Sequence, residues 1–179
     1  FNFVFFQKFN FFQNRIIGIN SYKPVSSAII NSLKKLEYRG YDSAGIATLS
    51  SGLINEIKSE GRVDNLEKNS LVQKMEGTIG IGHVRWATHG VPSSLNAHPH
   101  SSQNVSVVHN GIIENSTILK KFLIGKGHKF KSQTDTEVIV HLITENLKTH
   151  DIVNSIKKTL KSLHGLSLIH ISEPTRHLL

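Results

Sequence analysis

The chain has 179 residues and no cysteine, and its 21 Lys and Arg against 13 Asp and Glu give a formal charge of +8. This length suffices for one domain with its own core, and the lack of cysteine excludes disulfides, thiolate metal sites and cysteine nucleophiles. No apolar run approaches the roughly 18 residues of a membrane helix. The lysines lie in helix-like segments without interleaved aromatic residues, which favours a solvated basic surface over a nucleic-acid site.

Both ends of the chain look foreign to what lies between them. Residues 1–12 contain seven of the nine phenylalanines, broken by polar residues that a signal peptide would not carry. We expect residues 1–13 to be a non-native extension; a real apolar arm is the alternative. Residues 166–176 read LSLIHISEPTR, which is typical of a translated sequencing adapter. We expect residues 166–179 to be an adapter-derived tail, with a short strand and loop as the alternative, and the domain to end without its last strands.

Hydrophobic periodicity predicts alternating groups of strands and helices between these ends. The predicted strands cover residues 16–19, 44–49, 53–59, 78–82 and 105–108, with a hairpin turn at Ser51-Gly52. The predicted helices cover residues 24–38, 63–75, 115–124, 134–147 and 151–163. Asp64 is the expected cap of the second helix, and Thr134 with Glu137 forms an expected capping box for the fourth. Strands in runs with helices between them argue for a layered α+β fold.

Two polar blocks directly follow predicted strands. His83 to Gly90 reads HVRWATHG, and His109-Asn110-Gly111 echoes it. The blocks combine a guanidinium, an indole, a hydroxyl, imidazoles, a side-chain amide and a backbone N–H next to glycine. Such groups can hold a small polar molecule and stabilise an oxyanion. The histidines near these blocks lack the helical spacing and the third ligand of a zinc site, so no metal or other cofactor is predicted.

Five motifs carry a resemblance: LEYRGYDSAG at 36–45, HVRWATHG at 83–90, NAHPH at 96–100, HNGIIEN at 109–115 and TDTE at 134–137. In order and spacing they resemble the class II glutamine amidotransferase domain, most closely that of the glutamine–fructose-6-phosphate aminotransferase (isomerizing) family, over residues 14–165. The resemblance implies an N-terminal-nucleophile hydrolase fold, a four-layer αββα sandwich. It also implies hydrolysis of glutamine, with ammonia passed to downstream sugar isomerase domains that make glucosamine 6-phosphate in a cytoplasmic homo-oligomer.

The resemblance also assigns the amino-acid end of glutamine to four residues. Arg85 is expected to bind the α-carboxylate through its guanidinium fork. Asp135 is expected to bind the α-ammonium, with Thr88 and His89 as further polar contacts. The alternatives are a surface ion pair for Arg85 and helix capping for Asp135.

At the reacting end, Asn110 and the N–H of Gly111 are the expected oxyanion donors, and Trp86 the wall over the site, with an ordinary core indole as its alternative. The family begins with Cys-Gly, where the thiolate attacks and the α-amino group acts as base. Counting back from Ile16 places Asn14 at the Cys position and Arg15 at the Gly position. The chain as written is therefore predicted to be inactive. Either its reading frame is damaged near the start, or it is a glutamine-binding relative without catalysis.

Overall fold

The computed structural model describes residues 4–7, 15–87, 90–165 and 167–172. Within this part, the strands are β1 Val4–Gln7, β2 Ile16–Asn20, β3 Ser43–Ser50, β4 Leu53–Glu60, β5 Ile79–Arg85, β6 His100–Ser101, β7 Ser106–Gly111 and β8 Ser167–Ser172. The helices are α1 Ser26–Leu36, α2 Val63–Glu67, α3 Ser70–Gln73, α4 Ser116–Gly125, α5 Glu137–Asn146 and α6 Ile152–Ser162, with a 3₁₀ turn at Glu37–Arg39. None of these helices has the length and apolar character needed to cross a bilayer.

The strands form two antiparallel sheets of four, in the orders β2-β5-β3-β4 and β1-β8-β7-β6. The predicted hairpin between β3 and β4 is confirmed, and Ser51 and Gly52 both adopt positive φ at its turn. In the first sheet β5 lies between β2 and β3, so its last residue, Arg85, is held in register opposite Ser43. The sheet therefore fixes the polar residues at the end of β5 in position.

Apolar side chains pack the two sheets face to face, and helices pack on each sheet. Ile29 and Leu33 of α1 lie in one core with Ile46 and Val84 of the first sheet. A Cβ at Gly82 would lie 2.4 Å from Ile29 Cγ2, so glycine permits this close packing of α1 on β5. Helices α5 and α6 form a second core with β7 of the other sheet. Ala47, Ile81 and Val108 form a third core between the two sheets. The predicted four-layer αββα sandwich is confirmed.

The helix predicted over residues 63–75 begins where expected, but it is not continuous and its predicted cap is wrong. Residues 63–75 form two short helices, α2 and α3, and Asn69 caps the second by accepting from the Leu71 N–H at 3.0 Å. Asp64 caps neither helix. It lies in the first turn of α2, where its carboxylate is 3.1 Å from Lys34 Nζ. An ion pair with a neighbouring helix has replaced the local cap.

The capping box predicted at the start of α5 is also wrong. The helix begins at Glu137, and its N-cap residue, Thr136, makes no side-chain cap. The Glu137 carboxylate instead accepts from the N–H groups of Lys131 and Ser132, at 2.8 and 2.7 Å. The Thr134 hydroxyl lies 2.9 Å from His100 Nε2. The backbone of the preceding loop binds the Glu137 carboxylate, and a distant buried histidine contacts the Thr134 hydroxyl, so neither group forms the predicted box.

A strand follows Gly165, contrary to the expectation that the fold would lack strands there. In β8, Ser167–Ser172 runs between β7 and β1, with Val107 opposite Ile171 and Val4 opposite Ile171 on the other side. The residues Ile169 to Ser172 alternate apolar and polar, which is the period of a strand. Ser106 and Val107 of β7 therefore have a neighbouring strand on both sides, and the rest of β7 is paired with β8. The foreign origin of residues 1–13 and 166–179 stays a prediction.

Candidate functional site

The ends of β5 and β7 and the loop before α5 surround a cavity of about 80 Å³. Its walls are Arg15, His83, Arg85, Trp86, His98, His109, Asn110, Gly111, Thr134, Asp135 and Thr136. Both strands run further than predicted, because β5 continues to Arg85 and β7 to Gly111. Several polar groups predicted for loops thus lie on the strands themselves, where the backbone is held by its ladder.

The cavity brings together the predicted residues Arg85, Trp86, Asn110, Gly111 and Asp135. These positions are spread over 51 residues of sequence, and the two-sheet fold places them around one space. Three further predicted residues, Asn14, Thr88 and His89, lie outside the described residues.

Arg85 forms a buried ion pair rather than the surface pair considered as its alternative. Its Nη1 lies 3.2 Å from Asp42 Oδ1, and its side chain is 4% exposed. Nη1 and Nη2 also donate to the carbonyls of Val91 and Gly90, at 3.4 and 3.1 Å. The Asp42 N–H donates in turn to the Arg85 carbonyl at 2.8 Å. These contacts fix the plane of the guanidinium at the cavity wall.

Trp86 is not a core indole, because 56% of its surface is exposed. Its ring lies on Gly40, which has a φ of 97° and sits in the loop just before Asp42. A Cβ on Gly40 would lie 2.0 Å from Trp86 Cζ3, so the indole can lie there only over glycine. The loop that contains Gly40 therefore supports the aromatic wall of the cavity.

Asp135 makes a tertiary hydrogen bond instead of capping α5 with its side chain. Its Oδ2 accepts from the N–H of Ile113 at 2.7 Å, which ties the loop before α5 to the chain just after β7. Asp135 lines the cavity together with Asn110 and Gly111 of β7. The cavity wall thus includes a carboxylate that this hydrogen bond holds in place.

His83 holds the side chain of Asn110, and sequence reasoning had not given His83 a role. His83 Nε2 lies 2.6 Å from Asn110 Oδ1, and an amide oxygen can only accept, so the imidazole proton is on Nε2. Burial lowers the pKa of His83 to about 4, which keeps the ring neutral at pH 7. With Oδ1 directed at His83, the amide Nδ2 points the other way as a donor.

Three more buried histidines surround the cavity floor. Thr136 Oγ1 lies 2.8 Å from His98 Nε2 and 3.0 Å from His109 Nδ1, so one hydroxyl joins the two rings. Burial lowers the pKa of His109 to about 4, that of His100 to about 3, and that of His98 well below 6.5. Neutral rings bonded to threonine hydroxyls form a rigid polar floor. The alternation of His98 and His100 beside a strand was the sequence signal for this arrangement.

The histidines are not arranged as metal ligands. In the part of the chain that the structure describes, no three His, Cys, Asp or Glu side chains are placed to hold a metal ion. The rings of His83 and His98 lie 4.6 Å apart, and those of His98 and His100 lie 4.8 Å apart. The cavity wall contains hydrogen-bond donors, acceptors and charged side chains.

A sequence profile described as a glutamine amidotransferase domain matches residues 83–178, which is more than half of the chain. The chain belongs to the glutamine amidotransferase domain family. The matched range includes Arg85, Asn110 and Asp135, three residues of the cavity wall.

Two named relatives support the assignment of the chain to this family. The chain is 50% identical over 151 residues to a glutamine–fructose-6-phosphate aminotransferase (isomerizing) of Mesorhizobium japonicum, and 47% identical over 166 residues to that of Clostridium acetobutylicum. These matches cover 84% and 90% of this chain but only 25% and 27% of the relatives. The chain thus spans about a quarter of the length of the curated relatives it matches.

A solved structure shares the fold. Glutamine phosphoribosylpyrophosphate amidotransferase from B. subtilis matches with a TM-score of 0.77 and 31% identity, over 89% of this chain and 35% of that one. This amidotransferase is of the N-terminal-nucleophile hydrolase type, and the shared architecture confirms the expected fold class.

Proposed function

We propose that the chain is the glutaminase half of a glutamine–fructose-6-phosphate aminotransferase (isomerizing) and that its cavity binds glutamine. The observation that carries this proposal is the convergence of Arg85, Asn110 and Asp135 on one cavity. A guanidinium, a carboxylate and a pre-oriented amide donor match the carboxylate, ammonium and amide carbonyl of glutamine. The high identity to named aminotransferases supports the same reading.

At the amino-acid end, Arg85 binds the α-carboxylate of glutamine and Asp135 binds its α-ammonium. Asp42 supports this contact, because its ion pair keeps the guanidinium oriented along the cavity wall. Thr88 and His89 add polar contacts. A charged donor and a charged acceptor at fixed separation select an α-amino acid over a simple acid or amine.

At the amide end, Asn110 Nδ2 and the Gly111 N–H donate to the carbonyl oxygen as it becomes an oxyanion. His83 supports this role, since its bond to Oδ1 directs Nδ2 away from the imidazole. Loss of one such donor typically costs on the order of 10²–10³ in rate. The exposed indole of Trp86 covers the site from the solvent side.

The chain as written does not complete the reaction, because asparagine stands at position 14 where the family has its cysteine. The amide of Asn14 is no nucleophile, and the residues before it remove the α-amine that would act as base. In the complete cytoplasmic enzyme, the ammonia passes to sugar isomerase domains that form glucosamine 6-phosphate in a homo-oligomer. The alternative function is a non-catalytic glutamine-binding relative; Asn14 favours this alternative, and the otherwise intact wall of the cavity argues against it.

Ammonia release tests the proposal. The purified chain should release no ammonia from glutamine above the buffer rate. Replacing residues 1–15 with Met-Cys-Gly, and completing the domain beyond Gly165, should create glutaminase activity once the methionine is removed. The matched control carries alanine in place of the introduced cysteine and should be inactive. A folded, restored chain without activity would refute the glutaminase assignment and leave the binding relative.

A further inference from the structure

Arg15 places a second guanidinium at the cavity where the family has glycine. The residue is 3% exposed, and it forms part of the cavity wall together with Asn110 and Gly111. Its carbonyl accepts from the Val84 N–H at 3.2 Å, which anchors it beside His83 on β5. Its guanidinium carbon lies 5.5 Å from the centre of the Trp86 ring. A buried, anchored cation therefore lies in the cavity wall beside Trp86, close enough to His83, the partner of Asn110, for its charge to lower the pKa of that ring.

The charges of the cavity wall favour an anionic ligand. Among the described residues of the wall, Arg15 and Arg85 are cationic and Asp135 is anionic. The three histidines of the wall add no charge at pH 7, because burial lowers the pKa values of all of them far below neutrality. The wall thus carries two cations against one carboxylate. Asp42 pairs with Arg85 from outside the wall, so the attraction for an anion rests on Arg15.

We infer that the cavity binds glutamate, an amino acid with an acidic side chain, more tightly than it binds glutamine. This inference rests on the proposed function, which places the amino-acid end of the ligand between Arg85 and Asp135. The side-chain end of the ligand then reaches Asn110 and Arg15. Glutamate and glutamine have the same length, so the two compounds differ there only by a carboxylate oxygen and an amide nitrogen.

The chemistry of the guanidinium decides between the two ligands. Arg15 has N–H donors and no acceptor, as does the amide nitrogen of Asn110. A carboxylate accepts from both with charge assistance, whereas the NH₂ of glutamine would present a third donor to them. Hydrogen bonds to charged groups exceed neutral ones by about 1.4 kcal/mol, which is tenfold in affinity, so we expect glutamate to bind about 10-fold more tightly.

Isothermal titration calorimetry of the 179-residue chain with L-glutamate and L-glutamine, at equal ionic strength, tests this inference. Glutamate should bind about 10-fold more tightly. Arg15→Gly should remove the preference while keeping glutamine binding, and Arg15→Gln should do the same without opening space. Thermal melts establish that both variants are folded.

Each other outcome has a distinct meaning. If glutamine binds as tightly as glutamate or more tightly, the inference fails and the proposed glutamine site stands. If glutamate is preferred equally by the native chain and by both Arg15 variants, Arg15 does not set the preference and the inference fails. If neither amino acid binds the folded chain, the inference and the proposed site both fail.

Discussion

His83 Nε2 lies 2.6 Å from Asn110 Oδ1, and this contact joins the end of β5 in one sheet to the end of β7 in the other. The two residues are 27 apart in sequence, and each belongs to a strand whose backbone is fixed by ladder bonds. A neutral histidine that donates to an amide oxygen also sets which way the amide nitrogen faces. The orientation of a proposed oxyanion donor thus depends on the packing of the two sheets.

A double-mutant cycle measures the His83–Asn110 contact. His83→Phe and Asn110→Ala should each destabilise the fold, because each leaves a polar partner without its bond. The double variant should cost less than the sum of the two, with a coupling energy of about 1–2 kcal/mol. Urea unfolding of the four proteins gives this value. Additivity within about 0.5 kcal/mol would show that the contact contributes nothing.

The buried Arg85–Asp42 pair should contribute far more to the free energy of unfolding than an exposed ion pair does. Asp42→Asn leaves the guanidinium of Arg85 in a nearly inaccessible place without its counter-charge, and we expect a loss of about 3 kcal/mol in unfolding free energy. The matched control is Asp64→Asn, which removes an exposed partner of Lys34 that Glu67 also contacts. The control should change urea unfolding little. Similar losses for the two variants would contradict the burial argument.

Gly40→Ala should disturb the indole of Trp86 directly. The new Cβ would clash with the ring, and alanine also tolerates a φ of 97° poorly. Gly52→Ala is the matched control, since Gly52 has a φ of 77° and nothing within 4 Å of an added Cβ. Trp86 is the chain's single tryptophan, so its fluorescence reports the change without interference. The emission maximum should shift for Gly40→Ala alone; an unchanged spectrum would show that the indole is not seated there.

Acid should destabilise the fold through the buried histidines. The pKa of His83 and of His109 is lowered from 6.5 to about 4 by burial, and His98 and His100 shift the same way. Between pH 6.5 and about 4 the unfolded chain therefore binds protons that the folded chain does not. Stability should fall with falling pH across this window, with a limiting slope on the order of 1.4 kcal/mol per pH unit for each histidine.

Urea unfolding at pH 7, 6 and 5 measures this dependence. Burial raises the pKa of Glu137, but hydrogen bonds from His141, Lys131 and Ser132 outweigh burial and lower this pKa from 4.5 to about 2. The loss of stability should therefore continue below pH 4.5 as Glu137 is protonated. His98→Gln should reduce the slope above pH 5, since it removes one titrating ring. A stability that is constant or rises from pH 7 to 5 would mean that the rings are protonated in the fold.

The sequence predicted the elements whose pattern is local and repeated. The spacing of Val25, Ile29 and Leu33 predicts the face that α1 buries, and Ser51-Gly52 between two strand patterns predicts the hairpin. The motifs also selected residues that the fold gathers at one cavity, although up to 50 positions separate them in sequence. These successes depend on periodicity and on residue chemistry, both of which are visible without coordinates.

The errors concern groups with two possible partners. Thr134 and Glu137 have the spacing of a capping box, but His100 and the Lys131–Ser132 backbone compete for the same atoms in the fold. Asp64 likewise prefers Lys34 of a neighbouring helix. Sequence periodicity carries no information about such distant partners, and for the same reason it could not reveal that His83 holds Asn110.

The central claim is that the cavity holds the amino-acid end of glutamine, and calorimetric titration of glutamine into the purified chain tests it most directly. We expect saturable binding at one site per chain. Binding should be abolished by Arg85→Ala and by Asp135→Ala and retained by the surface variant Asp64→Asn, with all four proteins folded. The absence of glutamine binding to the folded chain, or binding that survives both cavity substitutions, would contradict the account.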